Sequence, residues 1–146
     1  MKSVDSWLAE YSATHQNAMN QRIHLICVPS IYWSVVAMVW SIPPAEFMLK
    51  TPYLNWSIFA MVLTLAFYLS LGWKSFFYML TFSSLSWLIC LGIVMADLPL
   101  LKIALIIFST GWAFQFYGHY LEGKKPSFFK DLLFLLIGPL WVFKKF

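Results

Sequence analysis

The chain has 146 residues, of which 61% are hydrophobic, 20% aromatic and only 11% charged, against roughly 25% charged in an ordinary soluble domain. That balance argues against a free-standing soluble fold and for a single membrane domain over residues 1–146. The net charge of +4 comes from basic residues scattered at segment ends rather than gathered in a patch, which argues against a nucleic-acid surface and for the flanking of membrane segments.

The first twenty residues contain Asp5 and Glu10 and lack an apolar run before a small-residue cleavage site, so no secretory signal is expected and the first span stays in the mature chain. Within residues 4–19, Val4, Trp7, Leu8, Tyr11, His15 and Ala18 recur at intervals of three and four. This spacing predicts an amphipathic helix capped by Ser3, with Asp5, Ser6, Glu10 and Gln16 on its other face, lying along the headgroup region.

Four charge-free windows follow: Arg22 to Glu46, Lys50 to Lys74, Lys74 to Asp97 and Lys102 to Glu122. Each can supply the about 20 apolar residues that cross a hydrocarbon core. The predicted spans are 23–42, with Pro29 inside it and Pro43-Pro44 ending it, then 54–71, 75–96 and 98–120. A tight turn at Gly72, Trp73 and Lys74 joins the middle two. Residues 128–143 form a last apolar stretch broken by Gly138-Pro139, too short to cross comfortably and expected to be interfacial or re-entrant. The fold class expected is therefore all-α, a polytopic membrane helical bundle. Cys27 and Cys90 lie inside apolar runs without CxxC spacing and read as buried, reduced core residues.

With four spans and the N-terminus inside, the inner basic residues are Lys2, Arg22, Lys74, Lys124, Lys125, Lys130, Lys144 and Lys145, and the outer ones are Lys50 and Lys102. Eight against two places both termini on the cytoplasmic side. It also brings His15, His24 and His119, the only histidines, to one membrane face.

Asn17, Asn20 and His24 share one helical face by their spacing of three and four. His15 does not join them, because nine residues at about 100° each set it opposite His24 on any continuous helix. Both reach one site only if the chain bends near Asn17 to Asn20. On the fourth span, Gly111, Gln115, Gly118 and Glu122 form a narrow stripe with His119 beside it, where glycines admit a close helix neighbour. Polar groups at such depth need a partner or an ion. Each also has a plain structural reading: histidines as interfacial hydrogen-bonding groups, Asn17 and Asn20 as caps or interhelical bonds, and Glu122 as a surface partner of Lys124 or Lys125. Shared depth favours a metal, and imidazole with a carboxylate suits iron, zinc or copper.

The run Y-x-x-x-H-x-N-x-x-N-x-x-I-H-x-x-x-V-P from Tyr11 to Pro29, followed by G-W-x-F-Q-F-x-G-H from Gly111 to His119, resembles the small membrane family of 2-hydroxy fatty acid dioxygenases. The resemblance implies an iron(II)-dependent oxidoreductase that takes a 2-hydroxy fatty acid and O2 to the acid one carbon shorter plus CO2. It implies that His15, His24 and His119 are iron ligands or otherwise essential, with Glu122 as a further candidate ligand. Asn17, Asn20, Arg22 and Gln115 would support the ligands or orient the substrate, and Arg22 or Lys125 would steer its carboxylate. The short C-terminus, without a polar tail, fits a bacterial inner-membrane member, whereas eukaryotic members act in the endoplasmic reticulum. Two other classes fit the same residues: a haem- or quinone-linked electron-transfer subunit, and a non-enzymatic lipid-binding or assembly protein.

Overall fold

A computed structural model describes residues 3–126, 128 and 133–144. Among them are six α-helices and one 3-10 turn, and no strand, as the all-α reading expects. The helices are α1 (Val4–Ser12), α2 (Ala18–Trp40), α3 (Trp56–Ser70), α4 (Trp73–Met95), α5 (Leu100–Glu122) and α6 (Phe134–Lys144). By contacts the chain divides into two compact units, residues 1–32 with 109–146 and residues 33–108. Helices α2 and α5 contribute to both.

Three helices, α2, α4 and α5, are long and apolar enough to cross a membrane. The expected span at 54–71 forms a helix of only 15 residues, about 22 Å at 1.5 Å per residue, against a hydrocarbon core of about 30 Å. Large apolar side chains point outward along these helices, Ile26, Leu63 and Ile106 being 72%, 73% and 58% exposed, while Ser34, Ser57, Ser83 and Ser86 are buried. A surface of that kind fits lipid rather than water as the surroundings.

In the unit formed by 33–108, α3 and α4 pack side by side as a hairpin. Asn55 caps α3 by accepting the Ser57 amide at 3.0 Å. The hairpin turn is tighter than the three residues expected, since α4 already begins at Trp73 and the reversal rests on Gly72 at φ +117°, a conformation that favours glycine. Helix α4 ends in a Schellman motif: the Leu98 amide reaches the Ile93 carbonyl, the Asp97 amide reaches that of Val94, and Asp97 takes the left-handed position at φ 54°. The reversal into α5 is thus built from local backbone bonds.

In the other unit, the first helix stops at Ser12 rather than running to residue 19. Side chains just beyond it take over its last carbonyls. Thr14 Oγ1 donates to the Tyr11 carbonyl at 3.0 Å and Gln16 Nε2 to that of Ser12 at 2.6 Å, satisfying groups that a continued helix would have satisfied internally. Helix α2 starts at Ala18, five residues earlier than the span predicted from Ile23, because Asn17 Oδ1 accepts the amides of Met19 and Asn20 at 2.9 and 3.2 Å. Helix α5 ends at Glu122 rather than near residue 120, with Gly123 at φ 69° closing it.

The 11 residues of α6 span about 16 Å, too little to cross a membrane. Its Phe134 and the run Ile137 to Val142 are buried, packed on α1, where Trp7 meets Phe134 edge to face at 5.0 Å. Most of the earlier part of the predicted 128–143 stretch, and the flanking lysines Lys2, Lys130 and Lys145, lie outside the described residues.

Candidate metal centre

His15, His24 and His119 converge. All three are buried, and one nitrogen from each lies within 4.8 Å of the others. The rings meet edge to face, with centroids 4.3 Å apart for His15 and His24 and 4.9 Å for each of the other pairs. His15 comes from the irregular stretch between α1 and α2, His24 from the second turn of α2 and His119 from the last turn of α5. The bend that the helical phase of His15 and His24 demands is present at Ala13 to Asn17, slightly ahead of the Asn17 to Asn20 position expected.

Hydrogen bonds orient the rings. His15 Nδ1 lies 2.6 Å from the Tyr11 carbonyl and His24 Nδ1 lies 2.9 Å from the Asn20 carbonyl. A carbonyl can only accept, so each Nδ1 carries the proton and the lone pair sits on Nε2. On His119 it is Nδ1 that is buried with no hydrogen-bond partner. A buried imidazole nitrogen with no partner costs free energy, and an ion bound beside the neighbouring histidines would remove that cost. Three buried imidazoles, each offering one nitrogen within 4.8 Å of the others, form a donor set suited to a divalent transition metal.

The family model described as 2-hydroxy-palmitic acid dioxygenase Mpo1-like matches residues 1–146. The chain belongs to this family. No curated protein and no solved structure matches it.

In this Mpo1-like chain the other candidate residues are divided between the centre's frame and the surface. Glu122 stands outside the histidine group. Its Oε1 accepts the Gln16 amide at 2.8 Å, and its Oε2 accepts the Asn17 amide at 2.8 Å and Asn20 Nδ2 at 3.1 Å. Asn17 is the exposed cap of α2, while Asn20 is fully buried. Gln115 is buried one turn before His119 on α5, and Arg22 and Lys125 are exposed. The glycine stripe on α5 does admit close neighbours. A Cβ at Gly118 would lie 2.4 Å from Asn20 Oδ1, and one at Gly111 would lie 2.8 Å from Ile31 Cγ1.

Some contributors carry no signal of their own in the sequence. Tyr11 lies flat on His15, with centroids 4.1 Å apart and planes 7° from parallel, and burial pushes its phenol above the ordinary range, keeping it neutral. Trp141 of α6 packs against both Tyr11 and His15 at 5.3 and 5.4 Å and donates its indole N–H to Ser12 Oγ at 2.9 Å. Tyr11 belongs to the amphipathic stripe and opens the N-terminal motif, but Trp141 is more than 100 residues away in an otherwise apolar run. Only tertiary packing brings it here.

Proposed function

We propose that this chain is a membrane-embedded oxygenase that holds iron(II) on His15, His24 and His119 and converts a 2-hydroxy fatty acid and O2 into the acid one carbon shorter and CO2. One observation carries the reading: three buried imidazoles whose ligand atoms lie within 4.8 Å of one another, in a family named for a 2-hydroxy-palmitic acid dioxygenase. Imidazole donors alone suit iron, zinc or copper, and it is oxygen chemistry that favours a redox metal over zinc. Direct edge-to-face contact among the rings suits one ion better than a haem inserted between two of them.

The reaction balances without an outside reductant. The bond between the carboxyl carbon and the α-carbon breaks, the α-carbon becomes the new carboxyl group, and one O2 yields one CO2, one shortened acid and one water. When bound, iron would supply the redox partner that O2 requires and a Lewis-acidic anchor for the substrate's carboxylate and 2-hydroxyl. The protein supplies orientation and dryness. The carbonyls of Tyr11 and Asn20 hold His15 and His24 in the ligating tautomer, and Tyr11 and Trp141 wall off the His15 side from water. Gln115 offers an amide near His119, and exposed Arg22 and Lys125 steer the carboxylate by charge.

A four-span arrangement with both termini cytoplasmic supports a substrate lying head-on at the membrane boundary. His24 is near the start of α2 and His119 near the end of α5. Two such residues meet only if the chain between them crosses an even number of times. The three long helices alone would leave them a membrane thickness apart, which supports a crossing by α3 as well, the roughly 8 Å by which it falls short being taken up by local thinning or its interfacial flanks. The acyl tail then lies among the spans while its polar head reaches the histidines.

Elemental analysis of anaerobically purified protein, followed by oxygen uptake with a panel of 2-hydroxy acids and detection of the shortened acid, tests the reading. One iron per chain and uptake are expected, and His119→Ala should lose both. An iron-loaded sample that consumed no oxygen with any 2-hydroxy acid would remove the proposed activity.

A further inference from the structure

We infer that Glu122 is a positioning residue for the histidine centre: its carboxylate sets where His15 stands relative to His24 and His119. The inference rests on the reading that the three histidines hold a metal. His15 is the one member of the group outside a helix: local bonds tie it back to α1, its amide to the Ser12 carbonyl at 3.0 Å and its Nδ1 to that of Tyr11 at 2.6 Å, and its link to α5 has to come from the residues that follow it. The two residues that follow it point their amides at Glu122, Gln16 to Oε1 and Asn17 to Oε2, each at 2.8 Å. Charge-assisted bonds of this length are the stronger kind, and a carboxylate at the start of α2 also meets the positive end of that helix.

The same carboxylate reaches the other two histidines. Glu122 follows His119 by three residues on α5, so the bond ties the His15 stretch to the helix that carries His119. Its third partner is Asn20 Nδ2 at 3.1 Å, and the Asn20 carbonyl is what holds His24 Nδ1 at 2.9 Å. One side chain is therefore linked to the backbone beside His15, the turn beneath His119 and the residue that orients His24. Gly118 makes the arrangement possible, since a Cβ there would meet Asn20 Oδ1 at 2.4 Å. With three donors on its two oxygens, Glu122 acts on the metal through the histidines rather than by touching it.

Cobalt(II) titration of the purified full-length chain separates the roles, because the visible ligand-field spectrum reports which groups touch the ion while the titration reports how well they are held. Glu122→Gln keeps the size but sets an amide nitrogen against backbone donors. It should weaken cobalt binding about 10- to 100-fold, the range for residues that orient ligands, and leave the spectrum at saturation unchanged. Binding within twofold of wild type would overturn the proposal, and so would a changed spectrum at saturation, which would make Glu122 a ligand. Should Glu122→Gln not fold, Glu122→Asp, which keeps the charge but withdraws it by one methylene, carries the same expectation and the same two failures. A wild-type chain that takes up neither cobalt nor iron would remove the metal reading itself, and this proposal with it.

Discussion

At the scale of single residues, the centre depends on one position with no room for a side-chain atom, Gly118. Gly118 and Gly111 lie two turns apart on α5, and the same substitution should behave differently at each. A Cβ at Gly118 meets an amide oxygen of Asn20, whose nitrogen is held by Glu122 and whose own amide caps onto Asn17, so Asn20 cannot step aside without releasing those bonds. At Gly111 the neighbour is the Ile31 side chain, which can shift among aliphatic contacts. Gly118→Ala should cost about 1–3 kcal/mol, typical of overpacking, and lower metal retention, whereas Gly111→Ala should cost less and leave retention alone. Thermal unfolding in detergent with parallel metal analysis measures both, and equal metal retention in the two variants would contradict the account. The histidines themselves were identifiable from the sequence because there are only three and each borders an apolar run. Glu122 was legible in the sequence as a candidate ligand, but its three donors were not, since two of them are backbone amides that no side-chain pattern reveals.

At the scale of elements, caps decide where helices begin, and the two asparagine caps separate stability from function. Asn17 opens α2 directly beside His15, while Asn55 opens α3 in the other unit. Removing either cap should cost about 1 kcal/mol. Asn17→Ala should also weaken metal binding by loosening the stretch that carries His15. Asn55→Ala should leave binding as in wild type, and a titration in which both variants bound alike would sink the distinction. The helix bounds read from the sequence shifted for the same reason. Hydropathy marks where a chain is apolar, so it placed the first span from Ile23, whereas the helix extends back to Ala18 because an asparagine satisfies its first amides. The amphipathic period likewise continued through His15, and the helix nonetheless stopped at Ser12 because Thr14 and Gln16 capture its final carbonyls. Local polar competition of this kind leaves the hydrophobic pattern untouched.

At the scale of the whole molecule, the meeting of His24 and His119 constrains the topology. If α3 crosses the bilayer, cysteines introduced at Lys74 and Lys124, in a background with Cys27 and Cys90 replaced by alanine, should react with a membrane-impermeant thiol reagent from the same side. Cysteines at Lys50 and Lys102 should react from the opposite side. Labelling of positions 50 and 74 from the same side would refute the four-crossing arrangement, since α3 alone lies between them. Charge asymmetry alone predicted this pattern, eight basic residues against two, yet the shortness of α3 was hidden by a charge-free window that extends well beyond the helix at both ends.

Composition and hydropathy by themselves determined the class of this protein, all-helical and built for lipid, because the absence of charge over four windows leaves few alternatives in any solvent but a bilayer. Two spaced motifs determined its family and nominated the three histidines. Tertiary structure alone decided that those histidines form one centre, that His15 and His24 have their tautomers set by the Tyr11 and Asn20 carbonyls, and that Tyr11, Trp141 and Glu122 surround them. The physical reason is that periodicity describes which face of one helix a residue occupies. Convergence here depends on a chain break, a close approach of α2 and α5 at Gly118, and backbone hydrogen bonds between residues about a hundred positions apart.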